Sequence, residues 1–589
     1  MTLTAARQQE IQTHLEEVRQ QLATNELIWA SGYMAGLAAG GNTAIAPSPN
    51  TTTGKILTIW YGTDTGNARN IATRLADTAR ANGYAVELSR LDEVKPRSVS
   101  KVELLFVVIA THGEGEPPED SEAFYRFIMS DRAPALNDLE YAVFGLGDSS
   151  YPDFCQTSQE LDERFAALGG QRLLARVDCD VDFERQEEQW REEALAIVAP
   201  LMTQGTASHL QLVPATTVSQ YNRKKPFHAE VLERSLLTVS PSNKQVAHLE
   251  LLLEGSGLSY EPGDSLGVWV KNDQRVVDEI VTELALDPNT LVLRDNEEKP
   301  LNTWLQEELE LTQVVRPFLV AWAELAGAES LAALIEDREA LQQWVLTRQV
   351  ADVIKEYPAT VTADQLVHSL RRIAPRLYSI ASSALVAEDE VHLTVRLEGG
   401  EEGGLLRAGC ATWQLLNNVA VGDTLPVYVE PNERFRLPEN PEAPILMIGP
   451  GTGVAPFRGF LQQRSELGHT GKNWLFFGEQ HRRTDFLYQI EWQRYLRDGV
   501  LDKLTVAFSR DQEEKIYVQH RLLEHGAQVY QWLEDGAFIY VCGDGQSMAN
   551  DVHQALIDIL TQHGGLQAEA AADYLEALRQ QRRYQKDVY

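Results

Sequence analysis

The sequence predicts a multidomain α/β chain: a doubly wound parallel-sheet unit, then a β-barrel interrupted by a helical insertion, then a second α/β unit. Three observations predict it. At 589 residues the chain is too long for one core, so three or four domains are expected. Largely apolar strands at Leu57–Trp60, Val102–Ala110 and Tyr141–Leu146 each run into a small polar loop, as in a buried parallel sheet with its loops gathered at the strand C-termini. Further on, strand patterns at Ala229–Leu237 and Gln245–Leu253 give way to helical spacing from Asp273 to Leu370 and resume at Arg376.

Composition narrows the function. Hydrophobic content of 43% and charged content of 23% are ordinary for a soluble globular chain. A net charge of −34 argues against a nucleic-acid partner and permits docking to a basic protein surface. Cys155, Cys179, Cys410 and Cys542 form no CxxC or zinc-like spacing and no disulfide framework, so a reducing cytoplasm is expected and no metal cluster. Met1–Glu17 is polar and charged, unlike a signal peptide, and no apolar run reaches the roughly 18 residues that suggest a membrane helix.

In chain order, residues 1–54 read as an assembly segment and linker. Ala5–Leu22 is a Gln- and Glu-rich helix. The apolar run Leu27–Leu37 either packs on its own chain or makes a homo-oligomer contact, and Ala38–Gly54 has linker composition. Residues 55–203 form the first α/β unit. Its loop Thr63-Asp64-Thr65-Gly66-Asn67-Ala68 lies between a strand and a helix, where backbone N–H groups and hydroxyls bind phosphate. The loop has no Lys, so it is not of the Walker type and suits a terminal monophosphate. Ala110-Thr111-His112-Gly113 and Leu146-Gly147-Asp148-Ser149-Ser150-Tyr151-Pro152-Asp153-Phe154-Cys155 end the next two strands and converge on the same site. The acidic run Glu114, Glu116, Glu119, Asp120 is either a solvated face or a docking patch for a basic electron acceptor.

Residues 204–222 read as a second linker and 223–439 as the barrel, with its insertion at 273–370. At Arg376-Leu377-Tyr378-Ser379, a planar cationic fork, a flat ring and a small hydroxyl stand within four residues. That combination suits a dinucleotide with a planar redox head, FAD; the alternative, which this short motif alone favours, is an ordinary buried strand whose Arg reaches solvent. Residues 440–589 form the last unit. Gly451-Thr452-Gly453 lies in a glycine-rich turn entering a helix, which suits a pyrophosphate, although a lone glycine turn is a weak signal. Ser509, Arg510 and the run Lys515-Ile516-Tyr517-Val518-Gln519 lie beyond a strand end and suit a 2′-phosphate, which selects NADPH over NADH; the alternative is a solvated charge pair.

The three loops of the first unit resemble a flavodoxin-like FMN domain. The likeness implies that the Thr63–Ala68 loop holds the FMN phosphate and that the other two flank the flavin ring, with Tyr151 stacking. His112 stands where microsomal-type relatives have Tyr, so weaker stacking is expected. Tyr-x-Pro-Gly-Asp-x-Leu-Gly-Val at 260–268, the insertion, and Arg-Leu-Tyr-Ser-Ile-Ala-Ser-Ser at 376–383 are similar to the diflavin reductases. That resemblance implies a ferredoxin-reductase-type FAD barrel and a Rossmann-like NADPH domain. By it, Arg376 meets the FAD diphosphate, Tyr378 stacks on the ring, and Ser379 approaches N5. Thr312 contacts FAD from the insertion, Thr394-Val395-Arg396 line the adenine-ribose side, and Gly409-Cys410-Ala411-Thr412 face the diphosphate. The tyrosine that relatives often carry after the Thr394 strand is replaced here by Glu398-Gly399-Gly400-Glu401-Glu402. The likeness also places Cys542 and Asp551 by the nicotinamide coenzyme, has Asp587 stabilise the developing nicotinamide charge, and lays Tyr589 on the FAD ring. Ser379, Cys542, Asp587 and Tyr589 are therefore the expected catalytic group.

Asn25–Leu37 and the ending Arg582–Tyr589 resemble the flavoprotein (alpha) subunits of bacterial NADPH-dependent assimilatory sulfite reductase. This implies electron flow from NADPH through FAD and FMN to a separate sirohaem and iron–sulfur haemoprotein (beta) subunit. There sulfite would be reduced to sulfide for sulfate assimilation and cysteine biosynthesis. Two other readings stand beside it: a soluble diflavin reductase serving a haem monooxygenase, and a non-catalytic flavin- or nucleotide-binding regulator.

Overall fold

A computed structural model describes residues 55–63, 65–113, 115–151, 153–202, 220–545 and 547–588. The expectations for the N-terminal segment, for Asp64, Glu114 and Pro152, for most of the second linker and for Tyr589 lie outside the described residues.

The first sheet contains β1 (Leu57–Gly62), β2 (Val86–Arg90), β3 (Leu104–Ala110), β4 (Glu140–Leu146), β5 (Gln171–Arg172) and β6 (Val177–Cys179). All pairings are parallel, in the order β2-β1-β3-β4-β5 with β6 beside β4. Side chains alternate across a strand, and β3 uses both faces. Leu104, Phe106 and Val108 join Ala72, Leu75 and Trp190 from helices Asn67–Ala81 and Glu184–Val198. Leu105, Val107 and Ile109 join Phe124, Ile128, Leu161 and Phe165 from helices Glu122–Met129 and Gln156–Ala167. A sheet covered on both faces leaves its strand-end loops as the open surface.

The barrel strands are β7 (Phe227–Leu236), β8 (Val246–Leu252), β9 (Ser265–Val268), β12 (Arg376–Ser379), β13 (Glu390–Arg396) and β16 (Thr424–Glu430), in the antiparallel order β12-β9-β16-β7-β8-β13. The insertion is helical around Trp304, Phe318 and Trp322, as its spacing predicts. It also holds a hairpin, β10 (Leu291–Arg294) with β11 (Glu297–Pro300), that the helical reading misses. Asp295 and Asn296 turn it with positive φ, and Leu291 and Leu293 are exposed, so no apolar alternation marks it as sheet. A second hairpin, β14 (Gly399–Glu402) with β15 (Leu405–Ala408), lies between β13 and the segment at Gly409.

The last sheet contains β17 (Ile445–Pro450), β18 (Asn473–Glu479), β19 (Lys503–Phe508), β20 (Phe538–Gly543) and β21 (Tyr584–Val588). It is parallel throughout, in the order β19-β18-β17-β20-β21. The polar C-terminal stretch is thus an edge strand. Its register on β20 buries Tyr584 to 2% exposure and sets Asp587 opposite Cys542.

Candidate functional site

The first loop is built from its own hydrogen bonds. Gly66, at φ 87°, caps the helix Asn67–Ala81. That left-handed turn favours glycine. Its N–H donates to Thr63 Oγ1 at 2.8 Å, and the Thr63 N–H donates to both Asp120 carboxylate oxygens at 3.0 Å. Two loop N–H groups are therefore already engaged, and a phosphate here would use the first-turn N–H groups and Thr65 instead. Asp120 is buried and pairs with Arg434 at 2.6 Å, while Glu119 and Glu122 meet Arg579. Glu119 and Asp120 of the acidic run thus bind this chain's own arginines. Ala68 packs in the core, so its backbone alone faces the loop.

The other two loops present rings beside small polar groups. His112 is exposed at the end of β3, where a tight turn bonds its N–H to Glu116 O at 2.8 Å. Next to it the Thr111 hydroxyl is buried with no hydrogen-bond partner, an acceptor and donor suited to a polar ligand between the strand ends. Beyond β4, Asp148 accepts from Ser150 N at 2.9 Å and Ser150 Oγ at 2.7 Å. Asp180, beyond β6, accepts from Ser149 N at 3.0 Å and Gly147 N bonds Cys179 O at 2.9 Å. These bonds shape the loop that leaves Tyr151 43% exposed. Asp153 pairs with Arg338 of the insertion. Cys155 is a buried helix cap at φ 55°, its thiol pKa pushed up by burial, so it serves the fold. A flavin mononucleotide fits this set: a phosphate cradle at one helix start, and two rings and an unsatisfied hydroxyl at the adjoining strand ends.

On β12, Arg376 and Tyr378 share one side and Leu377, 41% exposed, takes the other. Arg376 Nη1 donates to Ala374 O at 2.8 Å and Nη2 to Glu310 Oε2 at 2.7 Å. Glu310 Oε1 accepts from Thr312 N at 2.8 Å and Thr312 Oγ1 at 2.7 Å. A single buried carboxylate thus orients both expected FAD contacts. Burial alone would raise its pKa, but Arg376 and Arg371 hold it below the usual range. Reading the sequence missed Glu310; its only local signal is its place two residues before Thr312.

Gly409-Cys410-Ala411-Thr412 begins a four-residue helix, Cys410–Trp413, that widens into a turn at Gln414–Asn418. Cys410 and Ala411 are buried, and the Gly409 N–H and Thr412 Oγ1 bond the Glu398 backbone at 2.9 and 3.1 Å. The Thr394 side chain is engaged within the chain. Its Oγ1 lies 2.7 Å from the Tyr488 hydroxyl and is buried, Val395 is wholly in the barrel core, and Arg396 pairs with Glu398. The Thr394 and Val395 side chains therefore serve the fold and the seam to the last unit.

That seam also gathers His248, Glu250 and His392, whose ligand atoms lie within 4.8 Å of one another. Arg458 Nη1 stands 3.1 Å from His392 Nδ1 and can only donate. His392 Nδ1 is therefore the acceptor, and Nε2 carries its proton toward Glu390 at 3.1 Å. The cluster is a hydrogen-bonded staple between barrel and last unit. Burial, with Arg458 and His392 adding to it, pushes the His248 pKa down to about 3, so it is neutral.

Ser379, Asp587 and Cys542 meet. Ser379 Oγ donates to Asp587 Oδ2 at 2.7 Å, and Cys542 Sγ lies 3.7 Å from the same oxygen. The groups come from β12, β21 and β20, so the barrel and the last sheet join here. Asp587 is half-buried, and its loss of water raises its pKa against the bonds from Ser379 and Cys542. Burial also raises the Cys542 thiol pKa.

In the last unit the turn Gly451–Val454 hugs the end of β20: a Cβ on Gly453 would stand 2.1 Å from Cys542 O. Thr452 lies in the same turn. Ser509 is nearly buried, and Arg510, Lys515 and Tyr517 are exposed on the loop after β19. Gln512 closes that loop on Phe508 O at 2.6 Å and Glu514 O at 2.9 Å. Asp511 is drawn off by His481 at 2.9 Å and Arg482 N at 2.8 Å, which leaves the cationic side facing out. Gln519 Nε2 bonds Asp551 at 2.9 Å, uniting two expected coenzyme contacts. Val518 is core and Ile516 half-buried, so those two shape the loop.

Comparison with known proteins agrees with this layout. The chain matches families described as Flavodoxin over residues 59–193, FAD binding domain over 219–413, and Oxidoreductase NAD-binding domain over 447–554. It is 47% identical to the sulfite reductase [NADPH] flavoprotein alpha-component of Shewanella sp. (strain MR-4), across 98% of this chain and 97% of that one. The protein of the same description from Bacillus subtilis (strain 168) is 44% identical over 96% of each chain. That from Vibrio parahaemolyticus is 42% identical over 98% of this chain and 94% of its own.

Proposed function

The chain belongs to the family of sulfite reductase [NADPH] flavoprotein alpha-components, and from that premise we propose that it carries electrons from NADPH through FAD and FMN to a sirohaem and iron–sulfur beta component that reduces sulfite to sulfide. The meeting of Ser379, Asp587 and Cys542 carries this reading, because it sets a hydroxyl, a carboxyl and a thiol where the FAD barrel joins the coenzyme-binding sheet.

When bound, the flavins supply the redox chemistry: hydride acceptance from NADPH and one-electron delivery to haem. The protein supplies binding, orientation and charge. Arg376 and Thr312, preset by Glu310, hold the dinucleotide's diphosphate side. Tyr378 offers a stacking face. Ser379 orients the ring edge, and Asp587 stands ready to face positive charge developing on the nicotinamide. Arg510, Lys515 and Ser509 receive the 2′-phosphate. Thr65 and the first turn of helix Asn67–Ala81 hold the second flavin's phosphate, with His112 and Tyr151 on its ring. The functional units are 55–203, 223–439 and 440–589. The N-terminal segment is the homo-oligomer contact, and the enzyme works in the cytoplasm. Among the described residues no helix is long and apolar enough to cross a membrane.

The test is sulfide production from sulfite and NADPH after the haem component is added. Three NADPH should be consumed per sulfide, as a six-electron reduction requires. NADPH-dependent reduction of ferricyanide with no sulfide formed would overturn the choice of partner. No flavin bound and no NADPH oxidised would overturn the electron-carrier reading itself.

A further inference from the structure

Arg371 lies between the helical insertion and β12, five residues before Arg376, and its side chain is 8% exposed. Its Nη1 donates to Asp148 Oδ1 at 2.7 Å and to Asp180 Oδ1 at 3.3 Å. Its Nη2 donates to Gln313 Oε1 at 2.6 Å. The two aspartates end β4 and β6 of the first unit and hold Ser149 and Ser150 in the loop that presents Tyr151. On the other side, Gln313 Oε1 also lies 3.4 Å from Arg376 Nη2, which bonds Glu310. The Glu310 N–H donates to the Arg371 carbonyl at 3.0 Å.

Other ion pairs also join the first unit to the rest. Arg338 meets Asp153, Arg434 meets Asp120, and Arg579 meets Glu119 and Glu122. Arg371 differs in where its two ends reach. One end grips the loop of the stacking ring and the other the network around the diphosphate arginine. Asp148 shows the grip: burial would raise its pKa, yet Arg371 and Ser150 hold it below the ordinary range. Without the guanidinium, two half-buried acidic groups side by side would lose the counter-charge that Arg371 supplies.

We propose that Arg371 is a positioning residue that seats the Asp148–Tyr151 loop against the FAD end, and that Gln313 ties this seating to Arg376. This rests on the electron-carrier reading. A planar fork can serve Asp148, Asp180 and Gln313 together; a lysine is a single point donor and can satisfy only part of the set.

The experiment compares full-length Arg371→Met and Arg371→Lys with the parent chain. Bound FMN and FAD are measured first, then NADPH-dependent reduction of ferricyanide, then of cytochrome c, a haem protein too large to reach a buried flavin. The overall size of each chain follows from small-angle scattering. In Arg371→Met, flavin content and ferricyanide reduction should hold, while cytochrome c reduction falls by about ten- to a hundredfold, the scale of lost charge-assisted bonds. The radius of gyration should rise as the first unit leaves its seat, and Arg371→Lys should recover part of both changes. Unchanged cytochrome c reduction and size would overturn the clamp. An equal fall with both acceptors, or loss of FMN, would show a merely structural role and overturn it too. A parent chain that binds no flavin would instead overturn the carrier reading on which the clamp depends.

Discussion

Glu430 should make the stability of the closed arrangement depend on pH. It ends β16 at the seam with the first unit; a Cβ on Gly66 of the phosphate loop would lie 3.5 Å from its Oε1. That oxygen is buried with no hydrogen-bond partner. Burial raises its pKa from the ordinary 4.5 to about 7, with Arg223 and Arg69 pulling down and Asp264 pushing up. From about pH 4.5 to about 7 the folded chain keeps a proton that the unfolded chain has lost, so this contribution is complete below the lower value and disappears as pH rises through the upper one. At 1.36 kcal/mol per pH unit, the gap is worth at most roughly 3 kcal/mol. Glu430→Gln keeps the shape and removes the titration. Melting temperatures of parent and variant should nearly coincide at about pH 4 and diverge in the variant's favour by about pH 8. The scale is about 2–4 °C for each kcal/mol in a unit of 150–250 residues. Parallel curves across that range would refute the reasoning, since every other titrating group is common to both chains.

Arg510→Ala should raise the KM for NADPH by about one to two orders of magnitude, from the loss of a charge-assisted bond of roughly 1.5–3 kcal/mol, and leave NADH use nearly unchanged; steady-state kinetics with both coenzymes would expose an equal loss. Ser379→Ala leaves Asp587 with Cys542 as its remaining bonded neighbour. Flavin reduction by NADPH, followed by stopped-flow absorbance, should slow by about tenfold or more, with FAD content retained; an unchanged rate would remove Ser379 from the reaction. His112→Tyr should tighten FMN binding through a larger stacking ring, by roughly 0.5–1.5 kcal/mol; fluorescence titration showing equal or weaker affinity would count against His112 as a stacking face.

What could be read from the chain alone was local. The apolar runs of β1, β3 and β4, their small polar end-loops, and the Arg-Leu-Tyr-Ser strand carry their meaning within a few residues, because alternation, turn chemistry and side-chain type are short-range properties. Tertiary structure decided what each charged or polar group does. Asp120 reads as a solvated or docking charge until the Thr63 N–H, 57 positions away, and Arg434 claim it. Glu310 carries no local sign of its partner until Arg376 closes on it across 66 positions. The Thr394 hydroxyl has no legible partner until Tyr488, 94 positions on, takes it. Arg371 meets Asp148 across 223 positions, and no local pattern distinguishes it from its neighbour Arg372. The ending Tyr584–Val588 has too many polar residues to announce a strand, yet its pairing on β20 delivers Asp587 to Ser379 and Cys542. An apolar side chain declares its burial by its own chemistry, whereas a carboxylate or guanidinium is defined by the partner that replaces its water, and only the folded chain supplies that partner.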